Sequence, residues 1–183
     1  MKGAAILTRS LALALLGEGM SGADGHKVAV SALGKPGSPR SAIISGMSAT
    51  PATVVFLATD PDLGTVTGTA ATVTWNALAG LLTNTWTLTV QAAATTFAGC
   101  PTVPVSAVTV TCTSASATGV VAGTGACAAA FPLSTSPLQV ASGTEGSLSG
   151  AYTVNITFTF ADKWKYIANS ACTLSLTYTA NTP

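Results

Sequence analysis

The stretch Tyr152-Thr153-Val154-Asn155-Ile156-Thr157-Phe158-Thr159-Phe160 decides the fold class. Its even positions are all large and apolar; its odd positions are Thr, Asn, Thr and Thr. Successive side chains of a strand point to opposite faces, so one face suits a core and the other suits water. Residues 172–179 close the chain on the same pattern. Thr85-Trp86-Thr87-Leu88-Thr89-Val90-Gln91 repeats it with Trp86, Leu88 and Val90 on one face. Ala71-Thr72-Val73-Thr74-Trp75 and Val108-Thr109-Val110-Thr111-Cys112 are shorter copies. Further strands are expected at residues 27–33, 42–47, 53–58 and 125–131. Turns are expected at Asp60-Pro61-Asp62, Ala79-Gly80, Gly99-Cys100-Pro101, Gly123-Thr124-Gly125 and Ser142-Gly143.

Short strands that are apolar on one face, separated by turns, predict an all-β, antiparallel Ig-like β-sandwich of about 7–9 strands. A parallel sheet, covered on both sides, would carry apolar residues on both faces. No segment after residue 20 has the 3.6-residue period of a helix. Residues 70–91 and 151–179 echo one another (strand, loop, strand, with tryptophans) and read as two hairpin-like units of one sandwich. The domain reading is therefore an N-terminal segment at 1–25, an arm with a Gly/Pro linker at 26–47, and the sandwich at 48–183.

Composition narrows the chemistry. Only 7% of the 183 residues are charged, against roughly 25% in ordinary domains. The net charge is +1, and no charged residue occurs between Asp62 and Glu145. A basic footprint for nucleic acid is missing, as is the high net charge that keeps chains disordered. Hydroxyls replace charge: 30 residues are Thr and 17 are Ser. Thr is β-branched and fits a pleated surface, and its hydroxyl hydrates that surface without charge. Mean hydropathy is positive, yet no apolar run reaches the ~18–20 residues that span a bilayer.

Residues 1–25 read as an export signal, with Lys2 and Arg9 ahead of the apolar run Leu11-Ala12-Leu13-Ala14-Leu15-Leu16 and the small residues Ser21-Gly22-Ala23 after it. Four cysteines, Cys100, Cys112, Cys127 and Cys172, fit two disulfides in an exported chain. Pairing Cys112 with Cys127 would close the intervening stretch as a hairpin loop and leave Cys100 for Cys172. Pairing Cys100 with Cys112 and Cys127 with Cys172 stays open beside it. There is no Cys-x-x-Cys, and His26 is the sole histidine, so neither a zinc site nor redox catalysis is expected.

A resemblance enters through Ala49-Thr50-Pro51-Ala52-Thr53-Val54-Val55-Phe56, then the Trp75 and Trp86 strands. Together, over residues 48–92, they resemble bacterial extracellular Ig-like domains. The first stretch is similar to the x-P-x-T-V-x-F opening strand of BACON-type and related surface modules. The resemblance implies a BACON-like or pilin-like sandwich displayed at a cell surface, and it carries over no functional residue.

Few residues could support a site. Acid–base and nucleophilic catalysis fail on inventory: His26 sits beside the expected cleavage site and no Gly-x-Ser-x-Gly elbow exists. The chain is read as not an enzyme and as needing no cofactor or metal. Asp60-Pro61-Asp62 reads as a turn, and the sequon Asn155-Ile156-Thr157 falls mid-strand. The loop with Asp162, Trp164 and Tyr166 offers aromatic faces and polar groups to a carbohydrate, although the same residues suit a plug at the sandwich's end. Val28, Val30 and Leu33 lie in an arm that could pair with its own sheet or with a neighbour's edge. The expectation is a secreted or surface-displayed structural or adhesive protein, its partners copies of itself, other surface proteins or carbohydrate. Polymerisation by strand donation extends that reading, and a carbohydrate-binding module is the alternative. No nucleic-acid partner and no transmembrane span are expected.

Overall fold

The computed structural model describes residues 27–31, 43–57, 64–78, 85–119, 121, 123–146, 150–161 and 172–182. Two sheets face each other. The first runs β1 (Lys27–Ser31), β15 (Leu176–Asn181), β6 (Thr85–Ala92), β12 (Leu138–Thr144), β10 (Ala126–Cys127). The second runs β11 (Phe131–Pro132), β9 (Val108–Gly119), β13 (Gly150–Ala161), β5 (Ala71–Leu78), β2 (Ile43–Thr50), with β4 (Thr65–Thr67) also paired to β13. Two short ribbons complete the described strands: β3 (Val54–Phe56) with β14 (Cys172–Leu174), and β7 (Thr96–Phe97) with β8 (Cys100–Pro104). Nine of these strands have five residues or more. All pair antiparallel save β1, which runs parallel to β15.

The alternation of β13 builds the core. From Tyr152 to Phe160 the even residues of β13 are buried, while Thr153, Asn155, Thr157 and Thr159 are not. Burying each large apolar side chain contributes roughly 1.5–3 kcal/mol. Two aromatic clusters anchor the ends of β13. At one end Tyr152 stacks on Trp75 (centroids 5.4 Å apart) and meets Trp86 edge-on at 5.7 Å. At the other, Phe160 and Phe97 pack around Phe56, at 5.1 and 5.2 Å.

Several local expectations give way to tertiary context. The two echoing units are not hairpins: β5 and β6 lie in opposite sheets, and so do β13 and β15. Each pair crosses the sandwich, because both strands must turn their apolar face to the same core. The turn expected at Ser142-Gly143 is the interior of β12. A Cβ on Gly143 would fall 1.9 Å from the Thr124 carbonyl oxygen, so glycine there permits close backbone approach. Strand β12 itself breaks the alternation, since a bulge between Gln139 and Ala141 lets both Val140 and Ala141 be buried. The expected loop after Cys112 continues β9 to Gly119, where Ala115 and Ala117 stand opposite the larger Val154 and Tyr152.

Two disulfides tie the layers. Cys100–Cys172 joins the two ribbons, β8 to β14, across 72 residues. Cys112–Cys127 joins β9 of one sheet to β10 of the other across 15 residues. By restricting the unfolded chain the long loop contributes about 4 kcal/mol and the short one about 3 kcal/mol. Disulfides persist in oxidising compartments, which places this chain outside a reducing cytosol. Among the described residues no helix is long and apolar enough to cross a membrane.

Candidate functional site: the seam closed by β1

A sandwich of two open sheets leaves two side seams where edge strands face one another. Here each seam is closed differently. On one side, residues 123–127 hydrogen-bond to β12 and are bridged covalently to β9 through Cys112–Cys127. The Thr124 amide donates to the Thr144 carbonyl oxygen at 3.0 Å, and the two Thr hydroxyls lie 2.8 Å apart. The Trp86 indole N–H also donates to the Thr124 carbonyl at 3.0 Å. Gly125 lies so close to β9 that a Cβ there would sit 2.7 Å from the Ala115 carbonyl oxygen.

On the other side the closure is β1. Among the described strands it pairs with β15 alone, in the register Lys27↔Thr177, Val28↔Tyr178, Ala29↔Thr179, Val30↔Ala180, Ser31↔Asn181, and runs beside β2 of the facing sheet. The β15 residues in register with Val28 and Val30 are both core residues: Tyr178 and Ala180 are fully buried. Burial pushes the Tyr178 hydroxyl well above the ordinary tyrosine range, because an ionised phenol would lose its hydration. Sequence marked this arm by its apolar alternation but not by its parallel pairing, which depends on where the C-terminal strand lands.

The outward faces of both sheets are hydroxyl grids. Across the second sheet, Thr72 donates to Asn155 Oδ1 at 2.7 Å and Asn155 Nδ2 donates to Ser114 Oγ at 2.8 Å. One row along, the Ser48 and Thr74 hydroxyls are 2.9 Å apart. Asn155, the sequon residue, thus has both ends of its amide engaged within the sheet. Among the described residues the charged ones are Lys27 and Glu145, and Glu145 is 1% exposed. Tyr152, beside it, has its hydroxyl pKa raised by burial and by the Glu145 carboxylate, partly offset by the Gly146 amide that donates to it at 3.2 Å.

Trp75 and Trp86 are core residues. Leu33, Asp162, Trp164 and Tyr166, like Asp60 and Asp62, lie outside the described residues. An open cleft of ≈ 520 Å³ is lined by Thr95, Pro104, Val105, Ser106, Leu133 and Ser134, among others, with no titratable side chain among the described residues of its wall. Comparison of the chain with protein-family models, with curated proteins and with solved structures finds no match. The class defined by fold and covalent frame is a doubly disulfide-bonded all-β sandwich.

Proposed function

We propose that the chain is a secreted or surface-displayed structural β-sandwich that joins copies of itself by donating β1 to the β15 edge of a neighbour. The observation that carries this reading is the seating of β1: an edge strand with one backbone partner among the described strands, closing a seam whose opposite number is locked by a disulfide. Residues 32–42 connect it to β2, a link that reaches up to roughly 40 Å. That is about the length of twelve-residue β13, roughly 40 Å at strand rise. A strand handed to the next copy forms the same backbone hydrogen bonds that it forms at home, so exchange costs little enthalpy. Among the described residues the sheets outside β1 carry no exposed charge, which supports the reading, since such faces meet without electrostatic repulsion. The export pattern of residues 1–25 and the resemblance of residues 48–92 to bacterial surface domains support the extracellular setting.

The test is assembly state. Light scattering and negative-stain imaging of the purified chain should show head-to-tail assemblies that grow with concentration. A chain lacking residues 27–31 should form none. Mixing Ala29→Cys with Thr179→Cys chains should then trap intermolecular disulfides, because these positions are register partners. A monomer at every concentration, or assemblies that survive the deletion, would sink strand donation.

A further inference from the structure

We propose that Cys112–Cys127 is a surface thiol–disulfide exchange site, taking small thiols and dithiols, and that its opening unlatches the second seam of the sandwich. The two bridges differ sharply in access. Cys100 and Cys172 are 0% and 5% exposed, inside the core. Cys127 is exposed and Cys112 half-buried. A thiolate must reach one sulfur of a disulfide to break it, so the attack falls on the outer bridge.

An incoming thiolate bonds to Cys127 Sγ and the S–S bond breaks, leaving its electron pair on Cys112 Sγ, which takes a proton from water. A second thiolate attacks the incoming sulfur and releases Cys127 as a thiolate, which is protonated in turn. The bridge gains two electrons and two protons, and two thiols leave joined as one disulfide. Cys112 Sγ lies 3.6 Å from the Ser114 carbonyl oxygen, an acceptor already in place for the freed thiol.

Opening this bridge has a local consequence. The backbone of β10 pairs with β12, not with β9. Residues 123–128 are also held to the first sheet, through Thr124–Thr144, Trp86–Thr124 and the Ala128 amide on Val140. Toward β9 they have the bridge and the close approach of Gly125 to Ala115. Cutting the bridge therefore leaves this segment on one sheet and uncovers the edge of β9 beyond Cys112 on the other. That edge carries no charge or proline, the devices that guard strand edges against pairing.

Native alkylation after graded treatment with glutathione or dithiothreitol, with peptide mapping by mass spectrometry, tests the first half. Cys112 and Cys127 should label at least about tenfold faster than Cys100 and Cys172, and glutathione should appear on Cys127. Simultaneous opening of both bridges, or earlier opening of the buried one, overturns the proposal. Hydrogen exchange of the folded Cys112→Ser/Cys127→Ser chain tests the second half. Against the amides linking β13 to β5, which lose protection only as global stability falls, those of residues 114–118 should lose at least about tenfold more. A loss in β9 no greater than that between β13 and β5, or a double variant that does not fold, refutes the latch.

Discussion

The indole rings of Trp75 and Trp86 meet edge to face at 5.1 Å and 73°, although the strands that carry them belong to opposite sheets. This contact, with Tyr152 closing the cluster, fastens one sheet to the other at the end where Thr124 pairs with Thr144. The two indoles differ in their polar atoms. Trp86 Nε1 donates to Thr124, whereas Trp75 Nε1 is buried without a hydrogen-bond partner.

Trp86→Phe should cost more than Trp75→Phe for that reason. The first leaves the Thr124 carbonyl short of a donor, a loss of about 1–3 kcal/mol beyond the change in volume. The second removes a donor that has no acceptor. Trp86→Ala should cost roughly 3–5 kcal/mol. Urea titrations followed by far-UV dichroism compare the three, and equal midpoints for the two Phe variants would contradict the hydrogen-bond argument.

Replacing cysteines in pairs should separate the two staples. The Cys100→Ser/Cys172→Ser chain should lose about 4 kcal/mol and the Cys112→Ser/Cys127→Ser chain about 3 kcal/mol, by the loop-length dependence of chain entropy. The buried position adds a packing loss to the first. Thermal melts should therefore rank wild type above the outer pair and the outer pair above the inner one.

Two glycine-to-alanine changes should differ in cost. Gly143→Ala puts a methyl 1.9 Å from the Thr124 carbonyl and 2.8 Å from the Trp86 ring. Backbone must move, at a cost on the order of 2–3 kcal/mol or more. Gly64 has φ of +91° with nothing within 4 Å of a Cβ, so Gly64→Ala meets only backbone strain, roughly 1–2 kcal/mol. Chemical denaturation of the two variants gives the comparison.

Alkaline pH should destabilise the fold through its buried tyrosines. The Tyr178 pKa is raised in the folded chain above its ordinary 10.0, and that of Tyr152 is raised in the same direction, both chiefly by burial. Below pH 10 both states hold the phenol proton and no stability is lost. Above it the unfolded chain releases the proton while the folded chain keeps it, so stability falls, by about 1.4 kcal/mol per pH unit at most for Tyr178, with Tyr152 acting in the same direction. Tyr178→Phe should flatten the decline measured by denaturant titration between pH 10 and 11.

Legibility in sequence followed the period-2 signal closely. Strands β5, β6, β13 and β15 alternate without interruption, and their buried positions were readable residue by residue. Strand β12 was not readable, because its bulge places Val140 and Ala141 together in the core. The far half of β9 looked like loop because Ser and Ala alternate weakly there. Its small residues make sense only opposite Tyr152 and Val154. For the candidate seam, the sequence marked Val28 and Val30 as strand-like without indicating the strand they join.

What the sequence determined by itself was local: strand-forming alternation, an uncharged stretch rich in Thr between Asp62 and Glu145, and enough cysteine for two staples. Each follows from neighbours within a few residues of one another, where the pleat alone sends side chains to opposite faces. Tertiary structure decided which sheet each strand enters, which cysteines meet, and that β1 lies parallel on a strand some 150 residues later. It also decided that Glu145, which ends the long uncharged stretch, is buried. Those outcomes depend on contacts between distant segments, made when two sheets must share one core and close both of its sides.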